Sequence, residues 1–170
     1  MFALFLSLLV ATASAQTPVD SSLDQWRTAV NAERAGGSFG VGLAVGAPTG
    51  VAGKLWLGDW SAVQFSAGGD VGVFQDLAVT ADYVLQFRPF DTGDPDVSVP
   101  LHIGAGVNLG GNFWENITGM WFIGPRAVLG MSVMMKDLPI DVFFEVAPTV
   151  YLIEKPGWSI DGQIGIRHYL

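Results

Sequence analysis

The 170-residue sequence contains no cysteine. The chain therefore forms no disulfide, has no thiolate metal site and is not a lipoprotein anchored through an N-terminal cysteine. Charged residues are scarce as well, at 14% of the chain against about 25% in a typical soluble domain. Acidic residues outnumber basic ones by 16 to 8, and the resulting net charge of −8 argues against nucleic acid as a partner.

Long apolar runs are also missing. Beyond residue 15, no segment reaches the roughly 18 consecutive apolar residues of a transmembrane helix. Hydrophobic residues nevertheless make up 50% of the chain, and 22 residues are glycine. High hydropathy without a spanning helix favours a chain that meets lipid as β-strands.

Residues 1–15, MFALFLSLLVATASA, are predicted to be a secretory signal peptide. The apolar run over 2–10 is too short to span a bilayer, and Ala13-Ser14-Ala15 matches an A-x-A cleavage site. No Lys or Arg precedes the run, so either the true start differs from Met1 or the signal is weak. The alternative for this segment is a buried N-terminal strand or helix.

Residues 16–37 form a predicted N-terminal leader. Leu23, Trp26 and Val30 follow one another at spacings of three and four, and two glycines come after them. This pattern is typical of a short amphipathic helix that ends at glycine. Two interpretations remain open: a partly ordered leader, or a helix that lies on the periplasmic membrane surface with Trp26 as its anchor.

From Ser38 onward the hydrophobic pattern has a period of two, which predicts β-strands. Short connections separate the segments, so neighbouring strands must be antiparallel. The sequence therefore predicts one all-β domain over 38–170, an eight-stranded antiparallel up-and-down barrel. The predicted strands are 38–46, 51–58, 62–71, 77–87, 99–110, 120–134, 140–152 and 161–170.

The two faces of these strands differ in a way that favours a transmembrane barrel. A lipocalin-type barrel places apolar residues inside, whereas an outer-membrane barrel places them against lipid and keeps polar residues in the lumen. The less apolar face mixes glycine and alanine with single charges, which suits a narrow lumen better than a solvated surface. We expect salt bridges in a lumen polar network of Lys54, Asp70, Asp82, His102, Arg126, Asp141, Glu145 and Arg167.

Tryptophans fall mostly at predicted strand ends or in loops. Amphipathic rings prefer the level of the lipid head groups, where they form girdles. The alternative for each is ordinary packing at a barrel edge. The predicted girdle residues are Trp56, Trp60, Trp114, Trp121 and Trp158.

Four stretches carry a resemblance to an uncharacterised family of small bacterial outer-membrane β-barrel proteins. They are VGAPTGVAGKLWL (45–57) with AVQF (62–65), TADYVLQF (80–87), LPIDVFFEVAP (138–148) and DGQIGIRHYL (161–170). The resemblance implies an eight-stranded barrel in the outer membrane of a Gram-negative bacterium, and no known activity. It also implies a C-terminal assembly signal, here Ile164, Ile166, His168 and Leu170, although such chains usually end on an aromatic residue.

No residue set predicts catalysis, a metal site or a cofactor. No zinc-ligand spacing is present, and the loop DTGDPD lacks the spacing and the closing Glu of an EF-hand. A lipid-modifying barrel enzyme would use a Ser–His–acid set, for which His168 is the available histidine on the lipid face. No serine is clearly placed beside it.

The sequence thus predicts a monomeric outer-membrane barrel with a structural or surface-binding role, and no open pore. Its expected partners are outer-membrane lipid, the Sec-type export machinery and the barrel-assembly machinery. The alternatives are a periplasmic lipocalin-like barrel that binds an apolar ligand, and the lipid-modifying enzyme.

Overall fold

The structure is a computed structural model that describes residues 36–70, 73–88, 90, 92–94, 96–112, 121–135, 137–153 and 156–170. Of residues 70, 73–76 and 112 it describes the backbone only. The predicted signal peptide and nearly all of the predicted leader lie outside these residues, as does Trp114. Within the part of the chain that is described, no helix is long and apolar enough to cross a bilayer.

The described chain consists of β-strands and their connections. Its strands are β1 (Phe39–Gly46), β2 (Thr49–Trp56), β3 (Ser61–Asp70), β4 (Val73–Phe87), β5 (Val97–Ser98), β6 (Leu101–Asn112), β7 (Trp121–Met135), β8 (Ile140–Tyr151) and β9 (Gly157–Tyr169). All of them except the two-residue β5 form the wall of a barrel.

The barrel is closed, because its first and last strands pair. β1 pairs antiparallel with both β2 and β9, and β7 pairs antiparallel with both β6 and β8. The remaining wall strands follow in chain order, each antiparallel to the next. The predicted all-β, eight-stranded antiparallel up-and-down barrel is therefore confirmed. Closure leaves the sheet without an exposed edge along its paired length.

Several details differ from the sequence prediction. β2 spans Thr49–Trp56 instead of 51–58, and β4 begins at Val73 instead of at residue 77. Residues 97–98, placed in a loop, form β5 because Val97 and Ser98 pair with the end of β7. The last strand begins at Gly157, four residues before Asp161, because Gly157 pairs directly with Tyr151 across a tight connection. Gly157 is therefore the first residue of this strand and not part of the turn before it.

The register fixes the tilt of the strands. We start at Gly40 and move from each residue to its partner on the next strand, once round the wall, and arrive at Ser159 on β9. Gly40 itself pairs with Tyr169, which lies ten residues further along β9. A stagger of ten residues at about 3.3 Å each, over eight strands about 4.8 Å apart, corresponds to a strand tilt of about 40° from the barrel axis. A barrel of this size has an interior just wide enough to be filled by side chains.

The strands are unequal in length. β1 and β2 have 8 residues each, whereas β4 and β7 have 15 each. At a tilt of about 40°, these lengths rise roughly 20 Å and roughly 38 Å along the barrel axis. We call the end at which β1 begins and β9 ends the terminal rim, and the opposite end the far rim. The far rim is therefore low at the β1–β2 hairpin.

Alternation along each strand assigns its residues to two faces. In β7, Leu129 and Met131 are exposed, while Arg126, Val128 and Ser132 are buried. Because the strand lies in the barrel wall, the exposed set covers the outside and the buried set fills the interior. The same arrangement holds for Phe144 and its buried neighbours in β8.

Candidate functional site in the barrel interior

The interior of the barrel is polar. Side chains from every wall strand except β1 contribute hydroxyl, amide or charged groups that are almost fully shielded from solvent. Groups of this kind are stable in a closed space only when they are paired with one another. They include Lys54, Gln64, Ser66, Thr80, Asp82, Gln86, His102, Asn108, Arg126, Ser132, Asp141, Glu145, Thr149, Gln163 and Arg167.

Arg167 on β9 is the centre of the interior network. Its Nη2 lies 3.1 Å from Asp141 Oδ2 on β8, and its Nη1 donates a 3.0 Å hydrogen bond to Gln64 Oε1 on β3. The guanidinium carbon lies 3.8 Å from the centre of the Phe143 ring. Tyr169, two residues along β9, donates its hydroxyl to the same Asp141 oxygen at 3.1 Å. One guanidinium thus ties together three strands.

Glu145 joins a second set of groups to this centre. Its Oε1 lies 3.1 Å from His102 Nε2 on β6 and 3.9 Å from Arg167 Nη2. Its Oε2 accepts a 3.0 Å hydrogen bond from Gln163 Nε2. Gln163 also lies 3.2 Å from the hydroxyl of Ser66 across the lumen. The carboxylate is therefore held from β6 and β9 at once.

Lys54 on β2 has an uncharged oxygen acceptor. Its Nζ donates to Gln86 Oε1 on β4, and it also lies 4.4 Å from the centre of the Trp56 ring. The predicted partner for Lys54 was a carboxylate. Trp56 is 4% exposed and packs inside the barrel, so its predicted place in an outer girdle is wrong. Residues 54 and 56 share a face because the strand alternates, and that face points inward.

A smaller polar set lies nearer the far rim. Arg126 Nε on β7 is 3.2 Å from Asp82 Oδ1 on β4, and both side chains are buried. On the other side of the lumen, Asp161 accepts 2.8 Å hydrogen bonds from Thr149 and from Ser159. The lumen is thus crossed by side chains at two levels along the axis.

The structure brings most of the predicted lumen residues together, and it adds others. Lys54, Asp82, His102, Arg126, Asp141, Glu145 and Arg167 all point into the barrel. The side chain of Asp70 lies outside the described residues. Sequence reasoning did not single out the glutamines that link the charged groups, Gln64, Gln86 and Gln163, or the hydroxyl of Tyr169. The period-two pattern placed Gln86, Gln163 and Tyr169 on the polar face, but it could not show which cross-lumen neighbour each one reaches.

The described charges of this interior are nearly balanced. Three buried cations, Lys54, Arg126 and Arg167, stand against the buried carboxylates Asp82, Asp141 and Glu145 and the half-buried Asp161. Among the described residues, no group of three or more His, Cys, Asp or Glu side chains is arranged to hold a metal ion. The arrangement is one that cross-braces the wall and fills the lumen.

The outside of the barrel carries the predicted C-terminal set. Ile164, Ile166, His168 and Leu170 are all exposed, and Leu170 is 73% exposed. His168 pairs with Val41 on β1 and Ile140 on β8. Its directly opposite residues on both neighbouring strands are therefore aliphatic. The role of these four residues in assembly stays a prediction.

Exposed aromatic residues lie at both rims. Trp60 follows β2 at the terminal rim, whereas Trp121 opens β7 and Trp158 lies near the start of β9, both at the far rim. Between the rims, large aliphatic side chains cover most of the outer face of the wall, together with Tyr83 and Phe144. Comparisons with protein-family models, with curated proteins and with solved structures find no match for this chain.

Proposed function

We propose that this protein is an outer-membrane-type transmembrane barrel, with a sealed lumen and a structural or surface-binding role. The observation that carries the proposal is the belt of exposed apolar side chains on the outer wall. It has members on every wall strand except β3, whose outward apolar residues are half-buried, and includes Leu43, Val51, Leu77, Val79, Ile103, Leu109, Leu129, Phe144, Val150, Ile160 and Ile164. Monomeric soluble proteins rarely expose one contiguous apolar surface of this extent.

The degree of exposure supports a lipid environment. Leu43 and Ile160 are each 64% exposed, and they belong to an extended apolar surface, which is the unusual feature, since single exposed aliphatic residues are common on soluble proteins. In a bilayer the same surface has no hydration cost, and the closed ladder of strand hydrogen bonds satisfies the backbone. The rim tryptophans Trp60, Trp121 and Trp158 suit head-group levels on either side of such a belt.

The filled interior supports a role without solute passage. Arg167 on β9 reaches Glu145 on β8 and Gln64 on β3, and Gln163 on β9 also binds Glu145. The Arg126–Asp82 pair closes a second level. An eight-stranded barrel has no spare width beside such side chains. We therefore expect single-channel recordings in planar bilayers to show background conductance, and a stable open state would contradict the sealed lumen.

The lipocalin-like alternative requires the opposite distribution of residues. A binder of an apolar ligand needs an apolar cavity and a solvated outer wall. Here the buried set is dominated by Lys54, Arg167, Asp141 and similar groups, while aliphatic residues lie outside. This distribution favours the membrane proposal over the soluble one.

The test is the behaviour of the purified protein in detergent and in membranes. We expect the expressed chain to sediment with membranes, to require detergent for extraction, and to migrate differently in gels before and after boiling. A charged outer wall should abolish this behaviour, so Leu43→Lys with Leu129→Lys is the test variant. Leu138→Lys, in the exposed β7–β8 connection at the terminal rim, is the control. Recovery of folded wild-type protein in buffer without detergent would overturn the proposal.

A further inference from the structure

The last strand of the wall rises above the strand that closes the barrel against it. β9 pairs with β8 up to its first residue at the far rim. Its pairing with β1 stops at Gln163, which lies opposite Gly46, and a 3.0 Å bond from Ala47 N to Gly162 O ends the ladder. The low β1–β2 hairpin turns there. Residues 157–161 therefore have a strand on one side only, and we call their other side the β9 edge.

The alternation of β9 decides which backbone groups lie along this edge. Both main-chain groups of a strand residue point to the same side, and successive residues point to opposite sides. Gly162 bonds to the residue that follows β1, whereas Tyr169 donates its N–H at 2.7 Å to the residue that precedes β8. Even-numbered residues of β9 thus point away from β8. The N–H and C=O groups of Ile160 and Trp158 consequently point out over the hairpin, where no described strand lies alongside them.

The β9 edge lies where a partner can reach it. Trp158 is 75% exposed and is one of the tryptophans of the far rim, at the proposed head-group level. Five residues separate it from Gln163, which corresponds to roughly 12 Å along the barrel axis. An unpaired strand edge is a template for another chain, and unpaired backbone groups beside lipid are unfavourable. The edge is therefore suited to a segment that arrives from the far-rim side.

The inner side of the edge carries an acid without a cation. Asp161 is half-buried, and it accepts 2.8 Å hydrogen bonds from the hydroxyls of Thr149 and Ser159. These bonds hold the carboxylate in place and leave it further lone pairs. Among the described residues, no Lys, Arg or His lies within ion-pair distance of it. The rings of Phe122 and Tyr151 lie on the same side of the lumen, with their centres 5.1 Å apart. A cationic side chain is complementary to this surface.

Two other occupants fit this edge poorly. In two copies related by a two-fold axis along the membrane normal, the β9 strands would cross at about 80°, because each is tilted by about 40°. Strands that cross in this way cannot form a ladder. The N-terminal leader enters from the other end of the barrel, since a Cβ on Gly36 would lie only 2.7 Å from the Cβ of Pro139, at the terminal rim. A segment of a different protein is the remaining occupant.

We infer that the β9 edge is a docking site for an extended basic segment of a partner protein. The segment adds a strand beside β9 and exchanges backbone hydrogen bonds with Ile160 and Trp158. A side chain opposite Ser159 faces the lumen, diagonal to Asp161, and a lysine is long enough to reach that carboxylate. Its neighbours along the segment face outward. This inference rests on the proposed function and gives the surface-binding role a place and a class of partner.

The test is a titration of the purified barrel, in micelles of a zwitterionic detergent, with short blocked peptides. The probe is acetyl-Thr-Lys-Thr-Lys-Thr-amide, in which alternation places both lysines on one side and threonine favours a strand. We expect calorimetry to detect binding of this peptide. The glutamate counterpart, acetyl-Thr-Glu-Thr-Glu-Thr-amide, should bind more weakly because it meets Asp161 with like charge. The lysine peptide N-methylated at its threonines lacks the donors for the edge and should not bind.

Two variants locate the binding on the barrel. Ile160→Pro removes an N–H that points away from β8, so the ladder with β8 keeps its bonds. We expect about fivefold weaker binding, which is the effect of one hydrogen bond of about 1 kcal/mol. Its matched control, Ile160→Val, keeps the N–H and should bind like wild type. Asp161→Asn should weaken binding of the lysine peptide by up to about fivefold. If Ile160→Pro does not fold, the N-methylated peptide tests the same bonds on the wild-type barrel.

The possible failures are distinguishable. No binding by wild type, equal binding of the N-methylated peptide, or equal affinities of Ile160→Pro and Ile160→Val would overturn the docking site. Equal binding of the lysine and glutamate peptides would overturn the preference for a basic segment. A wild-type dimer in micelles that Ile160→Pro abolishes would assign the edge to a second copy and overturn the inference as well. All these results leave the membrane location standing, whereas recovery of the folded barrel without detergent would overturn that location.

Discussion

Replacing Arg167 by leucine tests whether the interior network stabilises the barrel. The substitution leaves a shorter, apolar side chain on the inner face and removes the charge that lies 3.1 Å from Asp141 and 3.9 Å from Glu145. Both carboxylates are almost fully buried, at 0% and 2% exposure, so water cannot replace the lost partner. Breaking a buried ion pair from one side costs about 3–5 kcal/mol. The lost hydrogen bond to Gln64 adds to this cost.

The measurement is the free energy of unfolding by urea in vesicles, with the folded fraction read from gel mobility. A loss of about 3–5 kcal/mol is a large share of the roughly 5–15 kcal/mol that stabilise a typical domain. We therefore expect a strongly reduced folded fraction at moderate urea. Combining Arg167→Leu with Asp141→Asn should recover part of the loss, with a coupling free energy of about 0.5–3 kcal/mol.

The matched control is His168→Leu on the neighbouring position of the same strand. His168 lies on the outer face, so this change removes no interior contact and should leave the unfolding free energy nearly unchanged or slightly raised. The reasoning is refuted if Arg167→Leu is as mild as the control, or if the double variant shows no coupling. Either result would mean that the buried charges do not brace the wall.

Three further perturbations test other parts of the structure. Leu43→Arg, near the middle of the outer belt, should cost about 2–4 kcal/mol of stability in vesicles, whereas Trp158→Arg at the far rim should cost about 0–1 kcal/mol; equal costs would contradict the position of the belt. Gly130→Ala places a Cβ 2.6 Å from His102 Cε1 and should destabilise the barrel by about 1–3 kcal/mol in the same urea assay. Leu170→Phe should leave membrane levels of folded protein unchanged or raised, and Leu170→Asp should lower them; unchanged levels of the Asp variant would tell against an assembly role.

The period of two was enough to predict the barrel, because alternation reports which residues share a face. It placed Asp141 and Glu145 together on the inner face of β8 and opposite to Phe144, as the structure has them. It did not reveal the contact between Gln86 and Lys54. That contact depends on the register between β2, β3 and β4, which no single strand encodes.

The tryptophans show where local reasoning fails. Trp56 and Trp60 both lie near the end of a hairpin, and amphipathic rings at such places are expected at the head-group level. The alternation of β2 nevertheless turns Trp56 inward beneath Lys54, while Trp60 stays outside. Pro125 in β7 and Pro148 in β8 are a similar case, since they look unrelated until the pairing of their strands is known.

If the barrel lies in a bilayer as proposed, the unequal strand lengths make its two sides different, because the wall is low beside β1 and β2 and tall beside β4 and β7. Lipids beside the short β1–β2 hairpin must thin or tilt to match a wall of roughly 20 Å, whereas those beside β4 and β7 meet a taller wall. The deformation is therefore one-sided. Other membrane proteins with a short apolar wall would gather on that side, because two such proteins that share one thinned patch of bilayer deform less lipid than two separate proteins do.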